Sequence, residues 1–166
     1  MVNRRLEAIK SKISDENDLQ KKLLAWRMLG DKIVFTNGCF DILHRGHLEY
    51  LAEAAALGNR LVIGLNSDES VQRLKGPGRP VNTIYDRAMA LAALGFTDAI
   101  IVFSEDTPLQ LIKLLRPDVL VKGGDYTSEE IVGALEMEAS GGEVAIISFV
   151  DGYSTTTFLD RLRRDS

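Results

Sequence analysis

The chain has 166 residues, 45% of them hydrophobic and 27% charged, with a formal net charge of −4 at pH 7. That size suits one domain with its own core, and the acidic balance offers no general attraction to nucleic acid or an anionic membrane, so an anionic ligand must be held by local cations. A single cysteine, Cys39, excludes an intrachain disulfide, and two histidines, His44 and His47, are too few for a zinc-type ligand set. No run of 18 apolar residues occurs, and the N-terminus, with Arg4, Arg5, Glu7 and Lys10, lacks the apolar stretch of a signal peptide. A soluble cytoplasmic protein without a membrane or nucleic-acid partner is the expectation.

Leu6, Ile9 and Ile13, then Leu19, Leu23, Leu24, Trp26 and Leu29, are spaced for two amphipathic helices broken near Ser14-Asp15. Residues 1–30 are read as a helical extension, lying on the surface of the main domain or at a dimer contact, and residues 31–166 as that domain. Short apolar runs rich in β-branched residues follow at Lys32–Thr36, Arg60–Asn66, Asp98–Phe103, Asp118–Lys122 and Glu143–Ser148. Runs apolar on both faces are what a parallel sheet covered by helices requires. Helical patterns separate them over 47–57 and near 68–74, 84–94, 108–115 and 128–139, and another begins at Ser154. Strands alternating with helices imply a doubly wound α/β fold with right-handed crossovers. Ligands of such sheets bind beyond the carboxyl ends of the strands, where strand order switches, and residues 36–47 leave the first of the five runs there.

Both histidines fall in His44-Arg45-Gly46-His47, at a strand-to-helix junction. The N–H groups of a helix start have no intrahelical partner and lie at the positive end of the macrodipole, so such a junction suits phosphate. Residues three apart share one helix face, and the helix N-terminus disfavours imidazolium, leaving two neutral rings that each donate one N–H. Gly46 keeps a side chain out of the ligand's way. These features suit charge stabilisation on a transferring phosphoryl group better than general base catalysis. Cys39 reads as a small packed residue, having no basic neighbour in sequence to activate it.

Three further segments point the same way. Val150-Asp151-Gly152-Tyr153-Ser154-Thr155-Thr156-Thr157 places five hydroxyl-bearing residues at the start of the last helix, more than an N-cap needs. Arg73-Leu74-Lys75-Gly76-Pro77-Gly78-Arg79-Pro80 is a basic loop able to fold over the same sheet edge, bringing Lys75 and Arg79 toward phosphate. Lys122-Gly123-Gly124-Asp125-Tyr126 leaves the fourth run in the same direction, as a close backbone approach to a ligand or as a plain turn. Arg87, beside Tyr85-Asp86, either reaches a substrate phosphate or pairs with a carboxylate.

The string from Thr36 to His47, Thr-Asn-Gly-Cys-Phe-Asp-Ile-Leu-His-Arg-Gly-His, resembles the cytidylyltransferase-like branch of the HxGH nucleotidyltransferases. With Gly64–Asp68, Arg73–Pro80, Glu105–Pro108, Arg116–Tyr126 and Gly152–Thr156, the chain is similar to the D-glycero-β-D-manno-heptose 1-phosphate adenylyltransferase family over about residues 30 to 162. The resemblance implies a single Rossmann-like domain over residues 31–166, with a five-stranded parallel sheet of order 3-2-1-4-5. It implies transfer of AMP from ATP, with Mg2+, to the sugar 1-phosphate, giving ADP-heptose and pyrophosphate for the lipopolysaccharide core. It also implies a homodimer and, with only about thirty residues ahead of the domain, a stand-alone form of a unit often fused behind a sugar kinase.

Carried across by motif, His44, His47 and Lys75 are the catalytic candidates. Thr36, Asn37, Gly38, Cys39, Phe40, Gly46, Gly124, Asp125, Tyr153, Ser154, Thr155 and Thr156 would border the nucleotide, and Asp41, Asn66, Arg79, Arg87 and Lys122 the acceptor. No metal ligand is expected from the protein. Two departures stand out. Phe149–Ser154 replaces the Arg-Thr-x-Gly-Ile-Ser of glycerol 3-phosphate and choline phosphate cytidylyltransferases, arguing against CTP with those alcohols, and Leu135 stands where the family favours a charged residue. The competing readings are transfer to another phosphorylated alcohol or flavin, with ATP or CTP, and a nucleotide-binding regulatory module without turnover.

Overall fold

In the computed structural model, residues 3–124, 127 and 130–148 are described. Two helices open the chain, α1 (Arg4–Lys10) and α2 (Glu16–Met28), with a two-residue strand, β1 (Ile13–Ser14), between them. Then follow β2 (Ile33–Gly38), α3 (Arg45–Ala55), β3 (Arg60–Asn66), α4 (Asp68–Lys75), α5 (Ile84–Ala92), β4 (Ala99–Phe103), α6 (Leu109–Leu115), β5 (Val119–Gly123), α7 (Ala134–Ser140) and β6 (Glu143–Ile147).

The strands form one parallel sheet of order β1-β4-β3-β2-β5-β6. The five runs expected from sequence keep their expected mutual order, but the sheet has six strands rather than five. The extra one comes from the segment read as a break between helices: Ile13 and Ser14 pair with Ile100 and Ile101, and the Ile100 N–H donates to the Lys12 carbonyl at 2.8 Å. Asp15 then caps α2 by accepting from the Asp18 N–H at 2.8 Å. The N-terminal helices thus flank a strand that extends the sheet's edge.

Alternate residues of the central strands feed two cores, one on each face. Val34, Leu61, Ile63, Ile100 and Val121 pack with Tyr50, Leu51 and Ala54 of α3 and Ala88, Leu91 and Ala92 of α5. Ile33, Phe35, Val62, Ile101 and Leu120 pack with Leu19 and Leu23 of α2, Ile112 and Leu115 of α6 and Met137 of α7. Burying one such aliphatic side chain is worth roughly 1.5–3 kcal/mol, so both helical layers are held by the same sheet. Leu24, Met28 and Leu29, on the outer side of α2, are exposed.

The helix expected over 128–139 is shorter among the described residues, starting at Ala134. Gly133 interrupts it with φ +95, a conformation that L side chains rarely adopt. A Cβ there would also stand 2.4 Å from Ile112 Cδ1, so this position fixes where α7 meets α6. The helix expected from Ser154 lies outside the described residues. None of the described helices is long and apolar enough to cross a membrane.

Candidate active site

Strand β2 lies between β3 and β5, so chain direction across the sheet reverses there and the loops leaving β2 and β5 open a crevice between them. The β2–α3 loop is shaped by its own residues. Gly38 has no room for a side chain, since a Cβ would stand 2.9 Å from Phe40 Cε2. Phe40 adopts φ +43, unusual for a bulky residue and characteristic of loops held in place by their surroundings. Its ring, nearly buried, meets His47 edge-on with centroids 5.3 Å apart.

His44 is the N-cap of α3. Its Nδ1 accepts from the His47 N–H at 3.4 Å, which places the proton of the neutral ring on Nε2. The two imidazoles stack with centroids 3.8 Å apart and planes 20° from parallel. Desolvation lowers the His44 pKa. Desolvation, then the neighbouring His44, pushes His47 down to about 4, with the Ile42 backbone opposing. Both rings are therefore neutral donors at pH 7. His47 Nδ1 is buried, with the Ile42 backbone as its nearest polar neighbour. Gly46 is buried in the first turn of α3.

Cations surround this loop. Desolvation raises the Cys39 pKa, opposed in turn by the charges of Lys75, Arg87 and Arg79, and the basic loop meets the β2–α3 turn through the Arg79–Asp41 ion pair. The half-buried thiol is thereby a poor nucleophile at neutral pH.

The arginines are already engaged. Arg79 Nε donates to Asp41 Oδ2 at 2.6 Å. The same carboxylate accepts from the Val81 N–H at 2.8 Å and the Asn82 N–H at 2.9 Å, while Asn82 Nδ2 donates to the Asp41 carbonyl at 2.7 Å. Burial opposes ionisation of Asp41, but these backbone bonds and Arg79 outweigh it and hold the carboxyl below its usual range. Arg87, 1% exposed, donates from Nε to the Asn82 carbonyl (3.2 Å), from Nη1 to the Cys39 carbonyl (2.6 Å) and from Nη2 to Asp68 Oδ1 (2.7 Å). Asp41 and Arg87 thus brace the loop rather than stand open to an acceptor. Asn66 is similarly occupied, its Nδ2 donating to Ser70 Oγ at 3.0 Å.

A sequence pattern described as cytidylyltransferase-like matches residues 35–159. The chain belongs to the cytidylyltransferase-like family. Among individual relatives, bifunctional protein HldE of Aeromonas hydrophila is 53% identical over 151 residues, covering 91% of this chain and 32% of that protein. HldE of Vibrio vulnificus strain YJ016 is 57% identical over 134 residues, 81% of this chain and 28% of that one. This cytidylyltransferase-like chain therefore spans about a third of the length of the curated relatives it matches. The crystal structure of the lipopolysaccharide core biosynthesis protein from Thermoplasma volcanium GSS1 superposes with a TM-score of 0.62 at 25% identity, covering 74% of this chain and 100% of that one.

Within this cytidylyltransferase-like site, the structure adds residues that sequence reading left out. Asp68, the first residue of α4, takes the Arg87 guanidinium and the Ile84 N–H (3.2 Å). Asn82 binds both ends of Asp41. Tyr50 of α3 donates its hydroxyl to the Val121 carbonyl at 3.3 Å, leaving its oxygen to accept from Thr36 at 2.6 Å, and burial pushes its pKa to about 12. An Asp in a helix first turn, an Asn before a Thr cap and a Tyr on an apolar face are all ordinary local signals, so only three-dimensional proximity reveals them. Lys122 is half-buried and donates to Asn37 Oδ1. Lys75 is exposed at the end of α4, and Gly124 follows β5 with φ +127. Leu135, on α7, is 78% exposed. Asp125, Tyr153, Ser154, Thr155 and Thr156 lie outside the described residues.

Proposed function

We propose that this chain transfers AMP from ATP to D-glycero-β-D-manno-heptose 1-phosphate, giving ADP-heptose and pyrophosphate for the lipopolysaccharide core. The observation that carries the reading is the neutral, stacked histidine pair at the start of α3, beside a loop ringed by cations. The identity to HldE proteins supports the choice of acceptor. In this reading residues 31–166 form the nucleotidyltransferase unit and residues 1–30 brace its edge. It acts in the cytoplasm as a twofold homodimer, the commonest symmetric assembly.

The acceptor's phosphate oxygen is already a nucleophile and needs no base. It attacks the α-phosphorus as the bond to the bridging oxygen breaks, and the electron pair leaves with pyrophosphate. Catalysis is then alignment plus stabilisation of developing charge. His44 and His47 donate N–H bonds to the phosphoryl oxygens, and being neutral they add no proton that the reaction must lose. Lys75 stabilises the leaving pyrophosphate. Backbone from Thr36 to Phe40, Gly46 and Gly124, with Asp125 and Tyr153 to Thr156, borders the nucleotide. Among the described residues no group of three His, Cys, Asp or Glu is placed to hold a metal ion, and magnesium enters with the triphosphate as MgATP, held by phosphates and water.

The test is pyrophosphate release from ATP and from CTP, each with the heptose 1-phosphate, beside His44→Ala and His47→Ala. Release with ATP, reduced about 10²- to 10³-fold by either substitution, supports the reading. A wild-type protein silent with this acceptor, or variants that turn over normally, would overturn it.

A further inference from the structure

Strands β2 and β5 run side by side for a shorter distance than either runs beside its other neighbour. Val34 pairs with Val119 and Phe35 with Leu120, and among the described residues the ladder stops there. On the outer sides, pairing continues to Gly38 with Leu65 and to Gly123 with Ile147. Residues 36–38 and 121–123 therefore line a split in the sheet, about 10 Å deep at roughly 3.3 Å per residue. It opens into the crevice where strand order switches.

A side chain from α3 closes the inner end of this split. The Tyr50 hydroxyl donates to the Val121 carbonyl at 3.3 Å and accepts from Thr36 at 2.6 Å, so it spans the first pair of residues that the ladder leaves out. One residue further out Lys122 donates to Asn37, but both of those groups belong to the strands, whereas Tyr50 brings in a third element. It stands three residues after His47, on the same side of α3, and His44 and His47 stack at the start of that helix. Leu51 and Ala54 bury α3 against the sheet, an attraction with no direction of its own. A hydrogen bond, by contrast, fixes both a length and an angle. Tyr50 is 5% exposed, and burial pushes its pKa to about 12, so at neutral pH the hydroxyl keeps the proton it donates.

We infer that Tyr50 is a positioning residue: by bridging Thr36 and Val121 it fixes the height and rotation of α3 over the split, and so aims the His44 and His47 rings at one phosphoryl group. Its role rests on the proposed function, in which those rings stabilise developing charge and their placement is felt in turnover. Misplacing such groups by about 1 Å can cost on the order of 10²-fold in rate. Ground-state binding, spread over many contacts, is less sensitive, so the loss falls on kcat rather than KM.

Pyrophosphate release by the full chain, with ATP and D-glycero-β-D-manno-heptose 1-phosphate varied in turn, tests it in the wild type, Tyr50→Phe, His47→Ala and the double variant, beside urea melts of each. Tyr50→Phe keeps the ring and removes the bridge. It should lower kcat roughly tenfold to a hundredfold and leave both KM values within about twofold. In the His47→Ala background the same substitution should cost less than about threefold, because a ring through which it acts is gone. A merely structural role would lower the urea midpoint and leave the two losses to multiply. Thr36→Val, which cuts the other arm of the bridge, should repeat the kcat loss, and it carries the test if Tyr50→Phe melts below the assay temperature. Folded bridge variants with a kcat within about threefold of wild type, or losses that multiply fully with that of His47→Ala, overturn the inference while the proposed function stands. A wild type that releases no pyrophosphate with this acceptor overturns both.

Discussion

Two pairs of cations lie near the end of β2, and they differ in what they already hold. Arg87 is buried and Arg79 nearly so, locked to Asp68 and Asp41, and Arg87 also donates to two backbone carbonyls. Lys75 and Lys122 have no carboxylate partner among the described residues, and Lys122 leans only on an amide. Planar guanidinium groups with five fixed donors suit a permanent joint, whereas a compact ammonium on a long stem suits an anion that comes and goes. At this end of the sheet the two arginines serve as architecture and the two lysines stay open to phosphate. Charge count alone does not identify a binding residue; what the charge is already bonded to does.

The largest effect expected from this division falls on stability. Arg87→Met removes a guanidinium whose side chain is fully buried and leaves the Cys39 and Asn82 carbonyls without a donor. Because Asp68 is 37% exposed and can take up water, the cost should sit near the lower end of that for a broken buried pair, about 3 kcal/mol, seen as a lower urea midpoint. His47→Ala should do the reverse, costing about 10²-fold or more in turnover with the midpoint little changed. Lys75→Ala comes next, with a loss of roughly tenfold to a hundredfold in kcat/KM and an unaltered melting curve, since the side chain is exposed. An Arg87 variant with wild-type stability, or a Lys75 variant that melts early, would break the comparison.

What the sequence discloses follows from how far apart the interacting residues are. The five strands with long apolar runs announce themselves, and the histidine tetrapeptide is contiguous, so its place at a strand-to-helix junction is legible. β1 is not, because two residues carry no period and their partners lie at Ile100 and Ile101. Nor is the length of α7, which depends on the closeness of Gly133 to Ile112. The engagement of Asp41 and Arg87 is hidden for the same reason: among their partners are groups 40 and 48 residues away. From spacing, Arg87 suits a carboxylate as well as a phosphate, and the acceptor role of Asp41 comes from the resemblance alone. Only the folded chain shows that their hydrogen bonds are made.

The smallest effects concern pH, and they separate the two kinds of group by window. The His47 pKa is depressed to about 4 by desolvation first and by His44 second. Between about 6.5, its unfolded value, and 4, the unfolded chain binds the extra proton and the folded one does not, so stability falls as pH drops through that range. Asp41 also has a lowered pKa, but as an acid. Its contribution is present above the unfolded value of about 3.9 and is lost only as pH falls below it toward the folded value. Urea midpoints measured from pH 7 to 3 should therefore decline in two stages. His47→Ala should remove part of the upper stage and leave the lower one, while Asp41→Asn should flatten the lower stage after a drop in stability at pH 7. That drop comes from the lost charge opposite Arg79, and the Val81 and Asn82 N–H groups can still donate to an amide oxygen. Equal flattening of both stages by one substitution would mean that the loop and the histidine pair titrate as a unit, and the architectural and ligand-facing groups would then not be separable.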